Sequence, residues 1–186
     1  MKKMLTVATG CCFLLASCNN TPTKPEMDNA KDTSTTVKEA KVPQSEFADE
    51  RYVAMGKKGL EQLSAGNMDA WVDGYADSAL FRWSSGDSLA GKAAIASWWK
   101  ERRTKVIDSI QFSNDIWLPL KVNRSQKGPD VPGIWLLGWY QVNVKYKNGK
   151  KLQFWVHNDL HYNNNDKIDI AVQYIDRAPI NKALGK

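Results

Sequence analysis

The chain has 186 residues, with 26 basic and 20 acidic side chains for a formal charge of +6, eight tryptophans and three cysteines. Its basic excess is dispersed, without a basic stripe or a nucleic-acid-binding motif, which argues against nucleic acid as a partner. All three cysteines lie at or before position 18, so the rest of the chain can form no disulfide, thiolate nucleophile or cysteine metal site.

Met1-Lys2-Lys3-Met4 is a short positive segment, and Leu5 to Ala16 is an apolar run without charge. About 12 residues are too few to span a bilayer, which takes roughly 20, but they suit the apolar region of a secretory signal. Leu15-Ala16-Ser17-Cys18 resembles the lipobox, whose cysteine is acylated before the chain is cut in front of it. Residues 1–17 are therefore expected to be a lipoprotein signal peptide, and Cys18 the lipid anchor. Cys11 and Cys12 sit inside the apolar run with few residues before them. Acyl chains, at roughly 0.8 kcal/mol per buried methylene, would hold the mature chain on a membrane outside the cytoplasm, with the outer membrane expected. Loss of Lys2 and Lys3 leaves 24 basic against 20 acidic groups.

Residues 19–45 contain no aromatic side chain and few large aliphatics, so residues 18–45 are expected to be a lipidated, disordered tether. From Glu46 to Ala65, Phe47, Tyr52, Val53, Met55, Leu60 and Leu63 recur at three- and four-residue steps, which predicts an amphipathic helix. Gly66-Asn67 stops it, and a short second helix follows through Trp71, Val72 and Tyr75. Residues 79–83 predict a strand, 84–88 a turn, and 92–106 a third helix carrying Ile95, Trp98, Trp99 and Val106. The period then changes to two, predicting strands over 108–122, 134–147, 150–162 and 167–176. Asn148-Gly149 predicts a type I′ hairpin turn between the second and third of these, and 163–166 a turn into the last. The charged clusters at 100–105 and 145–151 read as solvated faces. Pro179 is expected to end the fold, leaving residues 179–186 frayed. Residues 46–178 thus form one α+β domain.

Ala65-Gly66-Asn67-Met68-Asp69-Ala70-Trp71, Tyr75-Ala76-Asp77-Ser78-Ala79 and Gly91-Lys92-Ala93-Ala94-Ile95 occur in that order, followed by Asn158-Asp159-Leu160-His161-Tyr162 and Asp166-Lys167-Ile168. Over roughly residues 48–178 this succession resembles the nuclear transport factor 2-like superfamily in its SnoaL-like branch. The resemblance implies a cone-shaped fold, with three N-terminal helices packed on a strongly curved, mainly antiparallel sheet around a pocket. It also implies a homodimer through the outer sheet face. Its members include isomerases, cyclases, dehydratases and non-catalytic binding modules, so the fold leaves function open.

The ketosteroid isomerases of this superfamily need a phenol donor, an aspartate base and a protonated aspartic acid. Matching the motifs puts Gly59, Trp83 and Asn158 at those positions. None can act as the base, and only Asn158 can donate a hydrogen bond in the required manner. The same matching turns Phe154, Val156 and Asn158 towards the pocket, with Trp139, Gln141 and Asn143 beside them, Gln173 on the last strand, and Trp83 and Trp98 closing the wall. Such a lining suits a small organic ligand; the alternative is that these aromatics are simply core. Trp155, His157, Asp159 and His161 alternate onto the other face, where with Tyr140 they are expected to form a dimer surface rather than a metal site. No catalytic residue, metal or cofactor is assigned. The expected role is an envelope module binding a small molecule or partner. The alternatives are a lyase or isomerase working through Asp77, Asp159 or His157, and a structural dimeric subunit.

Overall fold

The computed structural model describes residues 41–126 and 131–186. The expected signal peptide, Cys18 and most of the expected tether lie outside the described residues. Among the described residues, seven strands form one curved sheet in the order β1-β4-β5-β6-β7-β2-β3, with four α-helices. The elements are β1 (Ser45–Phe47), α1 (Arg51–Ala65), α2 (Met68–Asp73), β2 (Tyr75–Trp83), β3 (Ser88–Ala90) and α3 (Lys92–Glu101). A single π turn over Arg102–Val106 leads to β4 (Ile107–Val122), β5 (Gly133–Tyr146), β6 (Lys151–Tyr162), β7 (Ile168–Tyr174) and α4 (Ala178–Leu184). All neighbouring strands are antiparallel except β2 and β7, which run parallel.

The first helix starts at Arg51, not near Glu46, because Ser45–Phe47 pair with Leu120–Val122 as an edge strand. Asp49 Oδ1 accepts from the Arg51 N–H at 2.8 Å, which supplies a start for α1. Gly66 ends it at φ 77°, with the Asn67 N–H on the Gln62 carbonyl at 2.9 Å, a left-handed cap that favours glycine. Tyr75 opens β2 instead of extending α2. The ladder to β7 pairs Tyr75 with Ile168, and this long-range partner overrides local helical periodicity. The expected third helix divides into α3 and the π turn.

The segment after Pro179 is helical rather than frayed. Pro179 stands in the first turn of α4, where its missing N–H costs nothing, and Ile180 of that helix is buried.

The β5–β6 turn differs from type I′, which needs positive φ at both central residues. Gly149 alone in the loop is left-handed, at φ 85°. The Gly149 N–H donates to the Tyr146 carbonyl at 2.9 Å and the Tyr146 N–H to the Lys150 carbonyl at 2.8 Å, giving a three-residue loop. The same bond pair and left-handed residue recur at Trp83–Asp87 with Gly86 and at Asn163–Lys167 with Asp166.

One face of the sheet packs on the helices. Trp117 of β4 occupies a slot that two glycines keep open. A Cβ on Gly138 would overlap its ring, and one on Gly56 would meet Leu136 at 2.6 Å. Asn114, left-handed at φ 55°, marks a β4 bulge between Ser113 and Ile116 that bends the sheet.

Candidate functional site

A cavity of about 350 Å³ lies between the inner sheet face and helices α1, α3 and α4. Its wall is a run of tryptophans in contact. Trp71 meets Trp99 at 5.4 Å between ring centroids, Trp99 meets Trp98 at 4.9 Å, and Trp98 meets Trp83 at 4.9 Å. Aromatic edges and faces at these separations attract one another and stiffen the wall. Trp83 Nε1 donates to Gln173 Oε1 at 3.0 Å, so the buried Gln173 amide is partly satisfied within the wall.

Tyr75, Tyr140 and Tyr162 also line the cavity, Tyr75 near the other two phenols and Tyr140 against Asn158. Asn158 Nδ2 donates to the Tyr140 hydroxyl, leaving Asn158 Oδ1 buried without a partner. Were the amide turned over, its nitrogen would be the open atom instead, so one amide atom faces the cavity in either orientation. Trp99 Nε1 is also buried and unpartnered. Burial raises the Tyr75, Tyr140 and Tyr162 phenols well above their ordinary range, so they remain neutral donors at physiological pH. Arg102 and Arg177 complete the ionisable lining with Tyr146 and Lys186, and no aspartate, glutamate or histidine among the described residues lines the cavity.

The structure places Trp83, Trp98, Phe154, Val156, Asn158 and Gln173 in this lining, with Gly59. It moves four residues across the sheet. Trp139, Gln141 and Asn143 face outwards, while Tyr140 faces the cavity rather than the outer surface. The register explains the change: Tyr140 pairs with Val156, and Trp139 with His157, so even positions share the inner face and odd ones the outer. The displaced amides join an outer ladder. Asn114 donates to Gln141 at 3.0 Å, Asn143 to Ser113 at 3.1 Å, and Gln153 to Asn143 at 2.6 Å.

Trp155, His157 and Asp159 lie on that outer face. Trp155 is 52% exposed. His157 Nε2 stands 2.8 Å from Asp159 Oδ1, and its Nδ1 is 3.1 Å from the Gly138 carbonyl. Burial raises the Asp159 carboxyl, against the opposing pull of His157. His161 is buried. Its Nδ1 lies 2.5 Å from Asp169 Oδ1 and its Nε2 3.2 Å from the Pro132 carbonyl. Asp77 is exposed on β2, away from the cavity. Among the described residues, no three His, Cys, Asp or Glu side chains converge on a metal position.

Sequence reasoning missed Tyr75, Tyr140, Arg102 and Arg177. For Arg102 a signal existed: Ile95, Trp98, Trp99 and Arg102 follow i, i+3, i+4, i+7 spacing, which puts the arginine on the apolar helix face.

No protein-family model matches the chain, and a search of the curated proteins gives no match. Solved structures do resemble it. A Bacillus subtilis protein with a proposed isomerase role superposes with a TM-score of 0.57 at 14% identity, over 74% of this chain and 96% of that one. A nuclear transport factor 2-like protein of unknown function from Burkholderia pseudomallei gives 0.56 at 10% identity, over 72% and 97%. A Catenulispora acidiphila protein with a ketosteroid isomerase-like fold, in complex with trimethylamine, gives 0.51 at 10%, over 70% and 92%. The fold is nuclear transport factor 2-like. Within that fold, the cavity between the curved sheet and the helices is the site at which a function has to be sought.

Proposed function

We propose that this chain is a lipid-anchored protein of the cell envelope whose SnoaL-like domain binds a small organic molecule without transforming it. One observation carries the binding role: an aromatic cavity contains two buried polar atoms, Trp99 Nε1 and one atom of the Asn158 amide, that no described residue engages. Each such atom costs about 1–3 kcal/mol while unpaired. A ligand offering an acceptor and a donor removes that cost.

The absence of turnover rests on the lining. Abstraction of a proton needs a base within hydrogen-bond reach, and the described lining offers only neutral phenols, amides and cations. Asp77, Asp159 and His157 stand outside it, which disfavours the lyase or isomerase reading. The trimethylamine held by the Catenulispora protein supports the small-molecule role by analogy alone. The anchor rests on Lys2-Lys3, the apolar run and Cys18. A homodimer through the outer sheet face is supported by Ile116, Trp155 and Tyr174, which are 59%, 52% and 44% exposed there.

Binding is tested by titrating the full chain in detergent with neutral aromatic compounds while following tryptophan fluorescence and thermal stability. Saturable quenching that weakens in Asn158→Leu supports the role, and conversion of a bound compound to product overturns the non-catalytic part. Labelled palmitate should enter the native chain but not Cys18→Ser, and membrane fractionation should follow the label.

A further inference from the structure

The charge facing the cavity is positive. Arg102 in the π turn, Arg177 beyond β7 and Lys186 line it, with no carboxylate side chain among the described lining residues. The two arginines are held differently. Arg177 ion-pairs with Asp87, donates to Ser85 at 3.3 Å and lies 5.7 Å above the Trp83 ring. The Arg102 side chain rests 4.7 Å from the Trp98 ring centre, and its guanidinium makes no ion pair or hydrogen bond with any described residue. Burial works against its charge, as does the neighbouring Arg177, with Tyr146 partly compensating. A half-buried guanidinium with its donor fork empty, beside a second cation, is a position that an anion relieves.

The cation and the deep polar groups stand apart. Arg102 adjoins Tyr146 at the end of β5, whereas Tyr140 lies six residues back along the same strand, a Cα separation of at most roughly 20 Å at about 3.4 Å per residue, which the side chains reaching into the cavity shorten. Trp83, Trp98, Phe112 and Phe154 are in the same lining, with Trp98 against Arg102 and Trp83, and Phe112 against Tyr140.

We infer that the cavity selects an elongated aromatic carboxylate, its acid group on Arg102 with Arg177 alongside and its far oxygen on the Tyr140–Asn158 pair. This rests on the binding role proposed above. A guanidinium presents two parallel N–H groups matching the two oxygens of a carboxylate, and flat indole walls favour a planar body over a coiled one. A phosphate monoester offers similar oxygens, and the test separates the two.

The full chain in detergent is titrated at neutral pH with 6-hydroxy-2-naphthoic acid, its primary amide, and 6-hydroxy-2-naphthyl phosphate, with tryptophan fluorescence as the readout. The acid is expected to bind roughly 10- to 100-fold more tightly than the amide, the range of a charge-assisted bond, and more tightly than the phosphate. Arg102→Gln should erase the preference for the acid, lowering the acid's affinity far more than the amide's. Arg82→Gln, exposed and outside the cavity lining, should change nothing. Equal binding of acid and amide by the native chain overturns the inference and leaves the binding role standing. A preference for the phosphate overturns the carboxylate assignment, and failure of all three probes counts against both readings. The acid–amide comparison uses the native chain, so a poorly folded variant does not blunt it.

Discussion

Trp139 stacks on His157, their ring centroids 4.3 Å apart and their planes within 15°, on the sheet face that turns away from the cavity. Tyr174 extends the stack, 5.3 Å from the imidazole on its other side. This arrangement removes the histidine from any chemistry in the cavity and gives it a structural part. His157→Ala is expected to cost about 0.5–1.5 kcal/mol of stability, the worth of such a ring pair beyond its area. Ligand affinity should stay within about twofold, because the side chain does not line the cavity. Urea unfolding and fluorescence titration of the same preparation check both halves. An intact melt with a collapsed affinity would put the imidazole in the binding path.

Two glycines on neighbouring elements should respond to alanine for different reasons. Gly149 has open space around it and a φ of 85°, so Gly149→Ala meets only backbone strain, about 1–2 kcal/mol. Gly138 has ordinary φ but lies against the Trp117 ring, so Gly138→Ala forces the indole out of its slot, costing about 1–3 kcal/mol. Near-ultraviolet circular dichroism separates them: the signal of buried tryptophan should change in Gly138→Ala and persist in Gly149→Ala.

The Gly149 loop also explains which part of the site could be read in advance. A two-residue turn at Asn148-Gly149 pairs Lys147 with Lys150, odd with even, which sends Trp139, Gln141 and Asn143 inwards once Asn158 is inside. The actual loop holds one residue more and pairs Lys145 with Lys151. A shift of one residue exchanges the faces of an entire strand, so β5 was legible as a strand but not by face. The β6 face was legible through its resemblance to a known family, independent of the turn. Parallel pairing of β2 with β7 joins segments about 90 residues apart, and no local pattern announces it. Arg102 carried a helical-period signal hidden by the basic cluster around it.

Trp83 and Trp99 form a matched pair for testing the unpartnered indole. Phenylalanine at either site removes the same atoms, so the loss of packing is comparable and the polar consequences differ. Trp83→Phe takes the donor from Gln173 Oε1, orphaning a buried acceptor, while Trp99→Phe removes an N–H that had no partner. Trp83→Phe should therefore be less stable than Trp99→Phe by about 1–3 kcal/mol in chemical denaturation. Binding should report the opposite emphasis at Trp99, where the lost donor is the one left open to a ligand. Equal stability of the two variants would mean that Gln173 finds another partner and that the wall is softer than its contacts indicate.

Alkaline pH offers a test of the neutral phenols in the cavity lining. Burial raises the folded-state pKa of Tyr75, Tyr140 and Tyr162 above the ordinary phenol value of about 10, which their unfolded forms regain. Below that value both states hold the protons, and the contribution of these groups to stability is fully present. Above it the unfolded chain releases protons that the folded chain keeps, so unfolding gains and stability falls as pH rises towards the folded-state values. Each group steepens the decline by about 1.4 kcal/mol per pH unit in that window. Urea melts between about pH 9 and about pH 11 should show this slope, reduced by roughly one group's share in Tyr75→Phe. Phenolate absorbance from the three residues should appear only together with unfolding. If all six tyrosines of the folded chain titrate reversibly near pH 10, the hydroxyls of Tyr75, Tyr140 and Tyr162 are open to bulk water and the cavity is not the desolvated, donor-lined site on which the binding role depends.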